Sequence, residues 1–370
     1  MTDWSSLVTP ALRELPAFDV AATVSEVRGV DGREGVAKLN WNENLFGPLP
    51  GVRDAVQAEL ESVWLYAVAP YDDFRAEVAR SIGTGPDRIV PGHGTQGLIR
   101  TVASAFLRPG DAVVVPALTF GLYSLVSAAY GGVVHAVPMR GLRIDLEALA
   151  HTAREVDARL VWICDPNNPT GDSLSRSEWD EFLPALPGGC VVIADEAYVD
   201  YLPPEQRLGR ERDVEAGRPV VVLRSFSKFF GLAGLRLGYA VGDERLAAYL
   251  SIVEEPFNVS CVALAAGCAS LRATEAADRR RLDVAEARAA LVAGLRAAGA
   301  EPHPAEANFV LADVGVDDAL LSEDLAGGGI LVRPGSEFGL PSYVRITVGP
   351  VPLMERVASQ LGRVRSALLG

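Results

Sequence analysis

An amine nucleophile has two candidates in this chain, because Lys38 and Lys228 are its only lysines and all other members of its 34 basic residues are arginines. Lys228 lies in Ser225-Phe226-Ser227-Lys228-Phe229-Phe230, directly after the apolar run Val220–Arg224, and Arg236 follows on the same stretch. Aromatic neighbours desolvate an amine, lower its pKa and make it nucleophilic, whereas a surface lysine stays charged and hydrated. The two serines and the arginine could donate hydrogen bonds to a phosphate. Asp195 is delivered by Val191–Ala194 to the carboxyl end of a strand, where open α/β sheets bind ligands; capping a loop is its plainer use. An acidic pair after four apolar residues also suggests an ATPase, but that chemistry needs Gly-Lys-Ser/Thr, and neither lysine follows a glycine. Gly92-His93-Gly94-Thr95-Gln96-Gly97 spells G-x-G-x-x-G ahead of a helix. No carboxylate ends the next strand, which argues against a dinucleotide; a phosphate cradle at a helix N-terminus and a plain tight turn both fit. Asp165-Pro166-Asn167-Asn168-Pro169-Thr170-Gly171 reads as a rigid turn. The four histidines lack metal-like spacing and no Gly-x-Ser-x-Gly is present, so neither a metal centre nor a hydrolase elbow is expected.

These residues need elements to hold them. Continuous apolar runs at Arg88–Val90, Ala112–Val115, Val133–Val137, Arg159–Cys164, Cys190–Ala194, Val220–Arg224 and Leu237–Val241 predict strands covered on both faces. Helical segments such as Thr95–Leu107, Gly121–Tyr130 and Arg176–Leu183 alternate with them, which predicts a large three-layer α/β domain with a mostly parallel sheet. Beyond residue 257 an Ala/Arg/Leu-rich region, Val262–Ala298, predicts a long connecting helix. Short strands near Asn308–Leu311, Ile330–Arg333 and Tyr343–Val348 and a final helix predict a smaller α+β C-terminal domain. The expected division is an N-terminal arm over 1–39 joined to the small domain, a large domain over 40–257, and the connecting helix with the small domain over 258–370.

The net charge of −14 disfavours nucleic acid and anionic membranes as partners and points to small-molecule substrates. Cys164, Cys190, Cys261 and Cys268 form no C-x-x-C pair and are expected as buried free thiols of a reducing compartment. With no apolar signal segment after Met1-Thr2-Asp3-Trp4 and no membrane-length apolar run, a soluble cytoplasmic protein is expected.

In order and spacing, these segments resemble the fold-type I pyridoxal-phosphate enzymes, and within them the aminotransferase subgroup that contains the histidinol-phosphate aminotransferases. The resemblance runs from Leu39-Asn40-Trp41-Asn42-Glu43-Asn44 to Val344-Arg345-Ile346-Thr347-Val348-Gly349. It implies pyridoxal 5'-phosphate as cofactor, Lys228 as the Schiff-base lysine and proton shuttle, and Asp195 as partner of the cofactor's ring nitrogen. It further implies Asn168 and Tyr198 at the ring's phenolic oxygen and Phe120 stacked on the ring. Gly94, Thr95, Gln96, Ser225, Ser227 and Arg236 would surround the phosphate. Tyr66 would reach the phosphate of a neighbouring subunit, which makes the active unit a homodimer. Arg345 would clamp a substrate carboxylate, as its place on the polar face of Tyr343, Arg345 and Thr347 allows. Arg333 would stand around the distal end of the substrate, and Asn44 and Phe46 would also bind substrate. Phe46, Gln96 and Phe120 depart from the residues usual in the subgroup. The reaction implied is ping-pong amino transfer from an amino acid or histidinol-phosphate-like amine to a 2-oxo acid; a lyase, cyclase or oxidase of amino-acid metabolism is the alternative on the same fold.

Overall fold

The computed structural model describes residues 2–13, 15–17, 35–67 and 71–370. Its strands are β1 (Ala37–Lys38), β2 (Ile89–Gly92), β3 (Ala112–Pro116), β4 (Val133–Val137), β5 (Leu160–Cys164), β6 (Val191–Asp195), β7 (Val220–Ser225), β8 (Gly238–Val241), β9 (Glu301–Pro302), β10 (Phe309–Asp313), β11 (Ile330–Leu331), β12 (Arg333–Pro334) and β13 (Tyr343–Thr347). The helices are α1 (Val52–Glu59), α2 (Asp72–Ile82), α3 (Thr95–Phe106), α4 (Leu122–Ala129), α5 (Leu146–Glu155), α6 (Arg176–Phe182), α7 (Glu211–Glu215), α8 (Glu244–Val253), α9 (Cys261–Arg272), α10 (Thr274–Ala297), α11 (Asp318–Gly327) and α12 (Val351–Leu368).

All seven strands expected in the first two-thirds of the chain join one sheet, in the order β2-β8-β7-β6-β5-β3-β4. Only β8 runs against its neighbours β2 and β7; the pairings from β7 to β4 are parallel. The apolar runs are continuous because alternate residues enter two cores. On β5, Leu160, Trp162 and Cys164 pack with α3 and α4, while Val161 and Ile163 pack with α5 and α6 on the opposite face. Helices on both faces around a mostly parallel sheet make a three-layer α/β architecture.

The C-terminal third forms an antiparallel sheet, β12-β13-β10-β9, with α10 and α12 packed together. Two expectations change in detail. The region 262–298 is not one helix: it breaks at Ala273, whose ψ of 52° leaves the helical range, giving α9 and α10. The strand expected over Ile330–Arg333 divides at Val332, β11 pairing with β1 and β12 with β13, so consecutive residues serve two sheets. All four cysteines are free thiols, with Cys164 and Cys190 buried; Cys261 and Cys268 are only half-buried, because α9 shows them on the margin of its packed face.

A cluster of buried ions ties three strand ends together. Arg210 Nη1 donates to Glu196 Oε1 at 2.7 Å and Nη2 to Asp165 Oδ2 at 2.5 Å. Arg224 Nε donates to Glu196 Oε2 at 2.9 Å, and its Nη2 pairs with Glu211. The Arg210 guanidinium also lies 4.1 Å from the centre of the Trp179 ring. Each carboxylate–guanidinium contact fixes a residue next to the candidate site: Glu196 follows Asp195, Arg224 precedes Ser225, and Asp165 opens the turn that carries Asn168.

Candidate active site

The carboxyl ends of β5, β6 and β7 carry Asn168, Asp195 and Lys228 on the turns that follow them or on the last strand residue. Lys228 is half-buried, and its Nζ donates to the Trp41 carbonyl oxygen at 2.9 Å. Burial pushes its pKa down to about 8, with Arg345, Arg236 and Lys38 adding repulsion and Glu43 opposing them. At neutral pH a usable fraction of the amine is therefore unprotonated. Asp195 is buried, and its pKa is pushed up to about 6, first by burial and in part by Glu196. Tyr123 Oη donates to Asp195 Oδ2 at 2.8 Å and the Ala197 N–H donates to Oδ1 at 3.0 Å; both favour the ionised form.

Around these groups, Tyr198 Oη accepts from Asn42 Nδ2 at 3.0 Å, which leaves the phenolic proton free to donate. Asn168 Oδ1 accepts from Arg345 Nη1 at 2.5 Å, which leaves its amide N–H groups as donors. Arg345 Nη2 donates to the Asn40 carbonyl oxygen at 2.7 Å, and the guanidinium lies 5.2 Å and 5.4 Å from the ring centres of Phe338 and Phe309. The Arg345 pKa falls to about 10, led by burial and deepened by Arg333. Arg333 stands opposite Arg345 in the β12–β13 register and pairs with Glu337. Thr347, on the same face of β13, accepts from the Asn42 N–H at 3.1 Å and donates to the Leu39 carbonyl oxygen at 2.7 Å, which packs the 39–42 segment over the cleft.

A donor-rich hollow opens at the start of α3. Arg236 Nη1 donates to Ser227 Oγ at 3.1 Å, and Ser225 Oγ accepts from the Ser227 N–H at 3.1 Å. Gly94 has a φ of 80°, and a Cβ there would come within 2.6 Å of Arg236 Nη2, so the arginine rests against bare backbone. A Cβ on Gly238 would meet Thr95 N at 3.1 Å and the Arg224 carbonyl at 2.8 Å, which keeps β8 tight beneath the hollow. As first-turn residues, Thr95 and Gln96 carry N–H groups with no intrahelical acceptor. Gln96 is exposed, so its contribution is made by main chain. Lys228, Arg236 and Arg345 contact only neutral oxygens among the described residues. Arg345 Nε is also buried with no acceptor. A cation surplus, a phosphate-sized ring of donors and a buried carboxylate across from an amine fit pyridoxal phosphate.

Most expected site residues therefore meet in one cleft. Phe120 is half-buried at the start of α4, with its ring edge-on to Tyr123 at 5.5 Å. Asn44 Nδ2 donates to the Phe229 carbonyl oxygen at 2.6 Å, and the Phe46 ring lies 5.5 Å from the Arg280 guanidinium. Tyr66 stands apart, 78% exposed and stacked on Phe257 at 4.7 Å. Sequence reasoning missed Asn40, Asn42, Thr347 and Tyr123. The first three follow from the polar stretch 40–44 and the polar face of β13; Tyr123 carries a signal in its spacing, one helical turn after Phe120.

The family model described as aminotransferase class I and II matches residues 34–361. A histidinol-phosphate aminotransferase of Symbiobacterium thermophilum is 36% identical over 93% of this chain and 94% of its own length. One of Anaeromyxobacter sp. is 36% identical over 98% of this chain and 100% of its own length. The crystal structure of histidinol-phosphate aminotransferase from Sinorhizobium meliloti in complex with pyridoxal-5'-phosphate superposes with a TM-score of 0.90 at 28% identity, covering 98% of both chains.

Proposed function

The chain belongs to the class I and II aminotransferases, and from that premise we propose how its own residues divide the work and which amine it takes. It is a pyridoxal-phosphate-dependent aminotransferase; bond cleavage or oxidation on the same fold is not favoured. When bound, the cofactor supplies a carbonyl that condenses with amines and a ring that accepts the electrons released at the neighbouring carbon.

Gly94, Thr95 and Gln96, with Ser225, Ser227 and Arg236, hold the phosphate. Asp195 presents a carboxylate to the ring nitrogen, and Asn168 and Tyr198 donate to the phenolic oxygen. Phe120 covers one ring face, the subgroup's stacking surface without its hydroxyl. Lys228 Nζ first anchors the cofactor. The same amine would take the proton from the donor's Cα, as a pKa of about 8 suits it to do near neutrality. Donor and 2-oxo acid use the same pocket in turn.

The observation that carries the substrate reading is Arg345, a buried guanidinium that donates only to neutral oxygens among the described residues and keeps its Nε without an acceptor, beside its cross-strand neighbour Arg333, itself paired with Glu337. A phosphate monoester or a second carboxylate satisfies that demand. The donor proposed is histidinol phosphate, the substrate in the names of the relatives, with Arg345 also receiving the carboxylate of the 2-oxo acid. Asn44 and Phe46 shape the pocket's outer wall.

The proposed unit is a cytoplasmic homodimer in which Tyr66 reaches the partner's phosphate site; its exposure leaves it available to do so. In the proposed division 1–39, of which 1, 14 and 18–34 lie outside the described residues, belongs with the small domain as an arm, 40–257 is the cofactor domain, and 258–370 is connecting helices and small domain. The strands β1 and β11 support the first of these by pairing. No helix among the described residues is long and apolar enough to cross a membrane.

The test is the visible absorption of the cofactor-loaded protein. Histidinol phosphate should bleach it and a 2-oxo acid should restore it; amino acids that bleach it while histidinol phosphate does not would move the donor assignment. Lys228→Ala should lose the coloured adduct and slow turnover by about 10²–10⁴-fold. A Lys228→Ala protein that still turned over at the original rate would falsify the role given to that lysine.

A further inference from the structure

Tyr123 has no part in the division of work proposed above, yet it makes the one side-chain hydrogen bond that Asp195 accepts among the described residues. It is fully buried on the first turn of α4. Its ring stacks on Trp162, with centroids 5.0 Å apart and planes 7° from parallel. Trp162 is itself held by the hydrogen bond from its Nε1 to Ser127 Oγ at 3.2 Å, from the same helix that carries Tyr123. The opposite constraint is Phe120, edge-on at 84°. With its plane fixed by Trp162 and its edge against Phe120, the phenol has little rotamer freedom, and its oxygen is aimed at Asp195 Oδ2.

We infer that Tyr123 is a positioning residue for amino transfer: its hydroxyl donates to Asp195, holds that carboxylate ionised and oriented toward the cofactor's ring nitrogen, and couples it mechanically to Phe120. The inference rests on the reading of Asp195 as the ring-nitrogen partner.

The physical argument has three parts. A buried carboxylate tends toward its neutral acid, and a neutral acid could not keep a ring nitrogen protonated. Burial and Glu196 both push Asp195 that way, and Cys164, its register partner on β5, adds a further buried group with no positive charge. Tyr198 faces the same carboxylate from the loop after β6, and Lys228 is the cation that acts on it most among the described residues. The charge of Glu196 is already engaged by Arg210 and Arg224. Secondly, burial raises the Tyr123 phenol well above its ordinary range, so at working pH it is always the donor. Thirdly, a carboxylate offers about four lone-pair directions, and Tyr123 and Ala197 occupy two, which leaves the carboxylate able to accept a ring N–H without losing either support.

The experiment is the pH dependence of pyridoxal-phosphate affinity, measured by fluorescence on the wild type, Tyr123→Phe, Asp195→Asn and the double variant. Wild type should lose affinity as pH falls through about 6, the value at which Asp195 takes a proton. Tyr123→Phe keeps the stacked ring and removes one oxygen; its loss of affinity should move up by about one pH unit, with binding about twofold weaker at pH 7 and about tenfold weaker near pH 5. In the Asp195→Asn background the same change should do almost nothing, because the group it acts on is gone. A merely structural tyrosine would weaken both backgrounds equally, and that result overturns the proposal. If Tyr123→Phe does not fold, 3-fluorotyrosine at position 123 keeps the shape and strengthens the donor; the transition should then move down in pH, and an unmoved or raised transition overturns the proposal. If Asp195→Asn binds the cofactor as wild type does, the assignment of Asp195 fails and the proposal with it. If Asp195→Asn weakens binding while Tyr123→Phe matches wild type, only the proposal fails.

Discussion

Two clusters of charge flank the cleft, one buried throughout and one open to solvent at Arg236, and they behave oppositely. In the first, each cation meets a carboxylate: Arg210 contacts Asp165 and Glu196, and Arg224 contacts Glu196 and Glu211. Burial alone would lower both arginine pKa values, but the carboxylates more than offset it and both are raised. In the second, Lys228, Arg236 and Arg345 donate only to neutral oxygens among the described residues, and all three pKa values fall, led by burial. The same solvent exclusion thus produces rigid scaffold where charges are matched and reactive demand where they are not. A cation cluster without its anions describes what must arrive from outside.

The contrast can be broken most forcefully at Arg210. Arg210→Met strands Asp165 without its cation, leaves Glu196 with Arg224 alone, and should cost about 3–5 kcal/mol, read as a lower urea midpoint of the cofactor-free protein. A loss under about 1 kcal/mol would mean that the first cluster does not hold the strand ends.

At Lys228 the sign should reverse. Its folded pKa lies below its ordinary one, so its contribution to stability is present above about 10.5 and is lost as pH falls through about 8. Lys228→Met should therefore stabilise the cofactor-free protein at pH 7 by about 2–3 kcal/mol, with the advantage fading toward pH 10.5. A destabilised variant at pH 7 would place Lys228 among the scaffold residues.

The finest discrimination is at Asp195, whose folded pKa is raised. Its contribution is full below about 3.8 and is lost as pH rises through about 6. The cofactor-free wild type should lose about 2 kcal/mol across that window relative to Asp195→Asn, and parallel pH–stability curves would sink the claim that burial strains this carboxylate.

Much of the active cleft is legible in sequence because its parts are short and local. Ser225, Ser227 and Lys228 occupy one turn, and Gly94 to Gln96 occupy another. The strands were readable because both faces of the sheet are apolar, so the runs have no polar interruption. Partnerships across the chain were not readable. Asn42 meets Tyr198 and Thr347 from 156 and 305 residues away, and no periodicity encodes that closure. The ion cluster was hidden for the same reason: Arg210 lies in a polar loop, and residues distant in sequence, Trp179, Asp165 and Glu196, pack around it. The divided strand at Val332 shows a further limit, since a run of apolar residues does not say which of two sheets will claim each half.

The scarcity of lysine acquires a meaning once both lysines are located. Lys38 Nζ lies 3.5 Å from the centre of the Trp41 ring and 2.7 Å from Glu43 Oε1, so its amine is engaged beside the cleft, while Lys228 stands inside it. An aldehyde diffusing over this surface meets guanidinium groups, which do not condense with it under ordinary conditions, in nearly every place where other proteins would offer decoy amines. Aldehyde labelling of lysine in the folded chain should thus approach one adduct per protomer, and borohydride trapping followed by peptide mapping, which separates α-amine adducts, would count functional sites without a correction for surface lysines.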